Sequence, residues 1–166
     1  MNIETERKYI IKMPDFTFLQ KCDNYTASNI EQIYLDIGFS THRIRKRAYE
    51  DKTVYTETKK IRISTVSAIE EEGEISSEKY NELKKKQLKG TEKLEKTRHS
   101  FSFCGYVFEI DVYPQWKKSA IMEIELESED TTPEIPSFIK IIREVTGIRE
   151  YSNAKMSHAF PPEISE

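Results

Sequence analysis

The 166-residue chain has few of the features that mark whole classes of protein. Its only two cysteines, Cys22 and Cys104, are too few for a disulfide framework or a zinc site. No apolar run approaches the ~18 residues of a membrane-spanning helix. The first residues include Glu4 and Glu6 and lack the apolar core of a signal peptide. We therefore expect a cytoplasmic protein with no membrane partner.

An excess of charge of one sign is also missing. Lysine and arginine number 26 and aspartate and glutamate 29, so the formal net charge is −3. This near balance argues against a nucleic-acid binder that works by bulk positive charge. Charged residues nevertheless make up 33% of the chain, which is high for a protein that must also bury a core. The positions of the charges, rather than their sum, are therefore informative.

The charges recur at alternate positions in short segments typical of β-strands. Residues i and i+2 of a strand lie on the same face. The first segment, NIETERKYII, thus places Glu4, Glu6 and Lys8 on one face. The same spacing recurs later in six pairs: Arg43 with Arg45, Glu57 with Lys59, Glu70 with Glu72, Lys96 with Arg98, Glu109 with Asp111, and Glu123 with Glu125.

A solvated sheet surface is the ordinary explanation of such a pattern, but two observations count against it. Several strands carry only cations and others only acids, and a solvated surface has no need of such sorting. The faces opposite the charges are often apolar, as at Ile110 and Val112, and so have a core to join. Both facts are explained by a closed barrel with its charged faces inward. The sequence therefore predicts a mainly β protein built on an eight-stranded antiparallel closed β-barrel with a few flanking helices.

The segments between the strands predict the helices and the domain limits. A short helix is expected after Pro14, and a second in SSEKYNELKKKQLKG, capped by a serine and ended by Gly90. The segment SFIKIIREVTG predicts an amphipathic helix that ends at Gly147. We expect one domain over residues 1–160 and a frayed tail over residues 161–166.

A lumen lined by charges of both signs requires a highly charged ligand, because unpaired buried charges are unfavourable. Basic side chains favour a polyanion. Clustered carboxylates beside them favour a hard cation with oxygen ligands, of which Mg²⁺ or Mn²⁺ is the usual partner of phosphate. A chain of phosphates bridged to the acids by metal satisfies all of these groups.

The ordered motifs resemble those of the CYTH superfamily, the triphosphate tunnel metalloenzymes. ETERK matches the E-x-E-x-K signature, and RIRKR, TETKK, EEEGEI, EKTR, FEIDVY, MEIELES and YSNAK follow in order. The series spans the chain from Glu4 to Lys155. The resemblance implies an antiparallel barrel that hydrolyses or cyclises a small-molecule triphosphate with Mg²⁺ or Mn²⁺. Members include inorganic tripolyphosphatases, thiamine triphosphatases, class IV adenylyl cyclases and RNA triphosphatases.

The resemblance also implies roles for single residues. The cations that match triphosphate ligands are Lys8, Arg43, Arg45, Lys59, Lys96, Arg98 and Lys155. The acids that match metal-side carboxylates are Glu4, Glu6, Glu123 and Glu125, with Glu70, Glu72, Glu109 and Asp111 completing the acidic lining or binding a second metal. Two positions depart from the family pattern. Ala68 stands where an arginine is frequent, and Ala154 separates the asparagine from the lysine of the closing motif, which leaves the role of Lys155 open.

Within the superfamily, the short chain and the motifs ERKY and EKTRHSF resemble the compact bacterial tripolyphosphatases. In that subgroup a tyrosine and the lysine of E-K-T-R act as a catalytic dyad, which implies Tyr34 and Lys96 here. Tyr34 is equally consistent with a barrel aromatic, and a YLD segment also occurs in class IV adenylyl cyclases.

Several alternatives therefore stay open for the function and for the remaining polar residues. They are a class IV cyclase, a thiamine or nucleoside triphosphatase, a tunnel that only binds its anion, and a structural barrel with a salt-bridged lumen. Three histidines, His42, His99 and His158, are expected to be structural or surface residues. Family precedent allows a monomer or a homodimer.

Overall fold

The computed structural model describes residues 2–36 and 41–166, and the main chain alone at residue 2. The strands are β1 (Asn2–Lys12), β2 (Asp23–Tyr34), β3 (Thr41–Ala48), β4 (Thr53–Arg62), β5 (Ser67–Ile75), β6 (Leu94–Phe103), β7 (Tyr106–Val112), β8 (Ser119–Glu125) and β9 (Ile141–Glu144). The helices are α1 (Phe16–Gln20), α2 (Ser77–Leu83) and α3 (Asn153–His158), with short 3₁₀ turns at Lys84–Lys86 and Arg149–Tyr151.

Eight strands form a closed antiparallel ring. They run in the order β5, β4, β3, β2, β6, β7, β8 and β1, and β1 pairs back with β5. The closing seam is short and extends from Asn2 opposite Glu70 to Thr5 opposite Ser67. The predicted mainly β fold, a closed antiparallel barrel of eight strands with a few helices, is confirmed.

The segment SFIKIIREVTG is a strand and not the predicted helix. β9 lies on the edge of β1 that β5 leaves after Thr5, and it pairs with Tyr9, Ile10 and Ile11. Hydrogen bonds from Lys12 N to Lys140 O and from Val145 N to Lys8 O flank the pairing. An open edge of β1 would leave backbone N–H and C=O groups unpaired. Satisfying that edge outweighs the helical spacing of the apolar residues in this segment.

The helices are short and begin at side-chain caps. Asp15 caps α1 and Ser76 caps α2, each by accepting a hydrogen bond from a backbone N–H of the first turn. Both helices were predicted, although α2 ends at Leu83 and not near Gly90. α3 was not predicted, and it is capped by Ser152. No helix in the described ranges has the length and apolar character needed to cross a membrane.

The main hydrophobic core lies outside the ring. The outward faces of β1, β6, β7 and β8 bury one cluster beneath α1 and the segment before β9, which includes Tyr9, Ile11, Leu19, Phe101, Phe108, Ile110, Met122, Ile124 and Ile139. A smaller cluster of Ile33, Leu35, Ile44 and Tyr80 lies beneath α2. Since the apolar faces point outward, the charged faces of the same strands point inward.

One end of the ring is filled by apolar side chains. Ile10 follows Lys8 by two residues, Ile121 precedes Glu123 by two, and both therefore continue the inward faces. They pack with Tyr113 and with Tyr151 and Met156, which belong to the 3₁₀ turn and α3. The charged part of the lumen thus ends on an apolar floor.

The C-terminal tail, which was expected to fray, is anchored to the turn before β8. Trp116 Nε1 donates to Pro161 O at 3.0 Å, and Ser119 Oγ donates to Ile164 O at 2.6 Å. The Glu163 carboxylate accepts from the backbone N–H of Lys117 at 2.8 Å. These contacts hold residues 161–164 against the fold.

Candidate active site

A charged cavity occupies the ring and widens towards a mouth. The inner part has a volume of about 90 Å³ and the mouth about 710 Å³. Glu6, Lys8, Tyr34 and Lys60 line both parts, so that the two volumes form one site. The first segment of the chain therefore points its charges into the lumen, as its spacing predicted.

Cations from four strands converge on the inner part of the cavity. Lys8 comes from β1, Arg43 and Arg45 from β3, Lys60 from β4 and Arg98 from β6. Burial lowers the pKa of Arg45 to about 9, and the positive charges of Arg43 and Arg98 contribute to the decrease. The Nε atom of Arg43 is buried and has no hydrogen-bond partner within the described residues. This cluster would be stabilised by an anion.

Lys59 was predicted to bind triphosphate, but Lys60 is the lysine of β4 that faces the cavity. Lys60 lines the cavity and lies opposite Glu70, whereas Lys59 pairs with Glu71 and His42 on the other face of β4. The error arose because the inward positions before Lys60 are Thr56 and Thr58, which carry no charge. The charged spacing of Glu57 and Lys59 therefore indicated the outer face.

Acids from β1, β7 and β8 form the opposite wall. Glu6 lies directly opposite Glu125, and Glu109 lies opposite Glu123. Like charges in such cross-strand positions repel. Burial raises the pKa of Glu6 well above its ordinary value, and the charge of Glu123 raises it further. Burial also raises the pKa of Glu125, with Glu109 adding to the effect.

A second acidic pair is formed by Glu4 and Glu70 at the seam of the ring. Lys60 Nζ lies 2.7 Å from Glu4 Oε2 and 3.9 Å from Glu70 Oε2. Burial raises the pKa of Glu70 to about 7, and the charge of Glu4 contributes to the increase. One lysine thus partly neutralises two carboxylates, which leaves the pair suited to a further cation.

The donor set fits a hard divalent cation. Glu4, Glu6, Glu70, Glu123 and Glu125 supply carboxylate oxygens, the ligands that Mg²⁺ and Mn²⁺ prefer. No three His, Cys, Asp or Glu side chains stand together as a ready-made metal site in the described ranges. Because Mg²⁺ commonly uses one or two carboxylates together with substrate phosphates, a site completed by the substrate suits this arrangement. Glu72 accepts from Thr58 Oγ1 at 3.2 Å.

Asp111 and Glu109, two of the predicted metal ligands, are bound by cations of the chain itself. Arg98 donates to both oxygens of Asp111, from Nε at 2.8 Å and Nη2 at 2.9 Å, and from Nη1 to Glu109 at 3.0 Å. Lys96 Nζ lies 2.8 Å from Asp111 Oδ2. Asp111 is 1% exposed. Its oxygens are therefore occupied, and it supports the cations rather than a metal.

The proposed dyad residues Tyr34 and Lys96 have different partners. Tyr34 Oη accepts a hydrogen bond from Gln32 Nε2 at 2.8 Å. Lys96 Nζ contacts Asp111 and, at 3.4 Å, Asn153 Oδ1. Burial lowers the pKa of Lys96 to about 7, although the Asp111 charge raises it. Tyr34 lines the cavity and Lys96 lies enclosed beside it.

The C-terminal segment completes the site. Lys8 Nζ donates to Tyr151 O at 3.1 Å and lies 3.5 Å from Glu123 Oε1. Asn153 accepts from both Tyr113 and Lys96. Lys155 is exposed and lines the mouth. The predicted cations are thus brought together except for Lys59, with Lys155 at the entrance.

Three residues of the site were not singled out from the sequence. Lys60 was missed because the adjacent Lys59 fitted the charge spacing with Glu57. Asn153 was missed because it lies on a helix that was not predicted. Gln32 is uncharged, but its position two residues before Tyr34 placed it on the same face. That spacing was the available signal.

Two of the histidines have structural contacts, as expected. His42 Nε2 lies 2.7 Å from Glu57 Oε2 on the outer face of β3. His99 Nδ1 shares a hydrogen bond with Tyr25 Oη at 2.8 Å. His158 lines the mouth of the cavity.

Comparison by sequence alone gives no match for this chain. No family profile matches it, and no curated protein matches it. Similarity is found among solved structures.

The inorganic triphosphatase NE1496 is 25% identical, with a TM-score of 0.56 over 98% of this chain and 99% of that one. The PH1819 protein from Pyrococcus horikoshii OT3 is 21% identical, with a TM-score of 0.52 over 74% of this chain and 80% of that one. The putative adenylyl cyclase HpAC1 from Hippeastrum, described as having a dominant triphosphatase activity, is 15% identical, with a TM-score of 0.51 over 74% and 80%. These neighbours are CYTH-type proteins, and the chain has their triphosphate tunnel fold, which confirms the resemblance stated from its motifs.

Proposed function

We propose that the protein is a divalent-metal-dependent triphosphatase that hydrolyses inorganic tripolyphosphate to pyrophosphate and phosphate inside the cavity. The observation that carries the proposal is the convergence of Arg43, Arg45 and Lys60 on one lumen opposite a wall of carboxylates. The similarity to the inorganic triphosphatase NE1496 over nearly the whole chain supports it.

The arginines have the shape and charge needed to hold phosphate oxygens. A guanidinium group can bind two oxygens of one phosphate through parallel hydrogen bonds. Arg43 has a buried Nε without a partner in the described residues, and so it has a donor ready for the anion. Lys8 and Lys60 add point charges along the same cavity.

The carboxylate wall would hold the metal. Glu4, Glu6 and Glu123 are the side chains that we assign to it, with Glu70 and Glu125 beside them. When bound, Mg²⁺ or Mn²⁺ neutralises phosphate charge and orients the phosphoryl group for in-line attack. Without such a cation, the carboxylates of this wall would repel the anionic substrate.

Lys96 is the candidate for accepting the proton of the attacking water. With a pKa of about 7, part of the lysine is neutral at neutral pH, as a general base requires. Asp111 and Asn153 hold its amine in one position. Loss of a general base typically lowers the rate ~10²- to 10⁴-fold. Lys96→Ala should therefore lower kcat more than it raises KM.

A substrate panel tests the function. The purified protein is assayed with tripolyphosphate, ATP and thiamine triphosphate, in Mg²⁺, in Mn²⁺ and in excess EDTA, with phosphate, pyrophosphate and cyclic AMP measured. We expect the highest kcat/KM for tripolyphosphate and no turnover in EDTA. Cyclic AMP as the main product of ATP would instead establish a cyclase. Binding without turnover of any substrate would establish a tunnel that only sequesters its anion.

Two matched variants connect the assay to the cavity. Arg43→Ala removes a lumen cation and should raise KM for tripolyphosphate. Lys59→Gln removes a cation from the outer face of the same sheet and should leave kcat/KM unchanged. Equal losses in both variants would contradict the assignment of the cavity as the active site.

A further inference from the structure

Gln32 lies between a lumen arginine and the lumen tyrosine. Its side chain is fully buried. Its Oε1 atom accepts from Arg45 Nε at 3.2 Å and from Arg45 Nη2 at 3.0 Å. Its Nε2 atom donates to Tyr34 Oη at 2.8 Å. One amide therefore connects two side chains of the cavity.

The chemistry of Arg45 fixes which way the amide faces. A guanidinium group has five donors and no acceptor. If the amide were reversed, its NH₂ group would face the Arg45 donors in a buried place, and neither group would have a partner. A buried donor without an acceptor is strongly unfavourable. The oxygen of Gln32 therefore faces Arg45, and the nitrogen faces Tyr34.

This orientation determines the role of the Tyr34 hydroxyl. The NH₂ group of Gln32 can only donate, so Tyr34 Oη must accept in that bond. The single hydrogen of the hydroxyl is then available for another acceptor. Tyr34 has no other hydrogen bond within the ranges that the structure describes. Lys8 and Arg43 line the same part of the cavity, and both are donors that cannot accept the hydrogen.

The remaining direction for the hydrogen is the cavity. Tyr34 lines both the inner part and the mouth, at the point where the two volumes join. Nearby cations draw an anion to this place, and phosphate oxygens are strong acceptors. The hydroxyl is thus prepared to donate to an anionic oxygen before any ligand binds.

We propose that Gln32 is a positioning residue that holds Tyr34 as a fixed hydrogen-bond donor to a phosphate oxygen of the bound triphosphate. The inference rests on the proposed function, because it assigns a bound triphosphate to the cavity. It differs from the dyad implied by family resemblance, since Tyr34 here acts on the anion and is oriented through Gln32 and Arg45, not through Lys96.

The test is a double-mutant cycle between Gln32→Glu and Tyr34→Phe. A carboxylate at position 32 accepts from Arg45 and also from the Tyr34 hydroxyl, and so it draws the hydrogen away from the cavity. The added negative charge weakens anion binding by itself, but that effect is the same in both Tyr34 and Tyr34→Phe backgrounds. The effect of Tyr34→Phe, measured with and without Gln32→Glu, therefore isolates the donated hydrogen bond.

The probe is the imido analogue of tripolyphosphate, in which NH replaces the bridging oxygens, bound in the presence of Mg²⁺ and measured by calorimetry. In the chain with Gln32, Tyr34→Phe should raise Kd about tenfold or more, the range for a hydrogen bond to a charged group. In the Gln32→Glu background, Tyr34→Phe should change Kd less than twofold. Melting temperatures of all four proteins show that each is folded.

Gln32→Met is the matched neutral variant. Methionine has a similar length, adds no charge and cannot capture the hydroxyl hydrogen, so Tyr34→Phe should still raise Kd severalfold in that background. A similar effect of Tyr34→Phe in the Gln32 and Gln32→Glu backgrounds would overturn the inference. So would a wild-type protein that does not bind the analogue. A wild-type protein that binds the analogue and shows the coupling, but does not hydrolyse tripolyphosphate, would overturn the proposed function and leave this inference in place.

Discussion

The substitution Asp111→Asn tests how the lumen holds its own charges. Asp111 is 1% exposed and accepts from Arg98 Nε at 2.8 Å, from Arg98 Nη2 at 2.9 Å and from Lys96 Nζ at 2.8 Å. Asparagine keeps the shape but loses the charge. Its NH₂ group must also face one of these donors, so that at least one hydrogen bond becomes a donor–donor contact.

The expected loss of stability follows from the burial of Arg98. Removing one partner of a buried ion pair destabilises a protein by about 3–5 kcal/mol, because a buried charge is left uncompensated. Arg98 still contacts Glu109 at 3.0 Å, so we expect the lower end, about 3 kcal/mol. For a chain of this length, each kcal/mol corresponds to about 2–4 °C in melting temperature. Asp111→Asn should therefore lower Tm by about 6–12 °C.

The assay is thermal and urea denaturation at pH 7, each followed by the fluorescence of Trp116, the single tryptophan, which is 3% exposed. Glu109→Gln is the matched control, because it also loses a carboxylate partner of Arg98. Its amide oxygen can still accept the one hydrogen bond from Nη1, and a loss of about 1 kcal/mol is expected. If Asp111→Asn cost no more than Glu109→Gln, the central position given to Asp111 would be refuted.

Three further predictions concern other parts of the molecule. Burial lowers the pKa of Lys96 to about 7 from its ordinary 10.5, so between those values the unfolded chain holds a proton that the folded chain lacks. The free energy of unfolding should rise from pH 7 to pH 10 in the wild type and rise less in Lys96→Met, as measured in urea at several pH values. Lys60→Gln should weaken binding of tripolyphosphate several-fold in calorimetry, whereas Lys59→Gln should not, because Lys60 lines the cavity. Gly147 has a φ of +73° and a Cβ there would overlap the methyl group of Thr65, so Gly147→Ala should lower the free energy of unfolding in urea by about 1–2 kcal/mol or more.

The inward charges of the ring could be predicted because strand geometry relates sequence to face directly. Positions two apart lie on one face whatever the strand packs against. The face predicted from NIETERKYII is therefore the one that points inward, with Glu4, Glu6 and Lys8 all lining the cavity. One strand alone could not show whether its charged face points to a lumen or to solvent. The sorting of positive and negative charges onto different strands favoured a shared lumen.

The same rule gave the wrong inward face for β4, because the face was assigned from the positions of its charged residues alone. In β4 the inward residues before Lys60 are threonines, and the charged outward residue Glu57 belongs to a contact with His42 and Lys79 beneath α2. A pattern read from charge alone cannot distinguish a lumen from an outer ion-pair network. Knowledge of the partner strand, here Glu70 opposite Lys60, is what resolves it.

β9 shows a different limit of prediction from sequence, because its conformation depends on an edge of β1 that β5 leaves unpaired. Its apolar residues are spaced as in a helix, yet β5 pairs with only the first residues of β1 and leaves the rest of that edge open. A segment that can supply N–H and C=O groups there is favoured over a helix of a few turns. Nothing within the segment itself indicates that edge.

The charges of the lumen divide into two groups that the sequence presents as one. Arg98 and Asp111 satisfy each other by direct contacts and are both buried. Arg43 keeps a buried Nε without a partner in the described residues, and burial raises the pKa of Glu6 well above its ordinary value, with the charge of Glu123 adding to the increase. Because a fold tolerates such groups only where something else stabilises them, the second group marks where the anion and the cation bind. The first group is the rigid support that keeps those sites open towards the cavity.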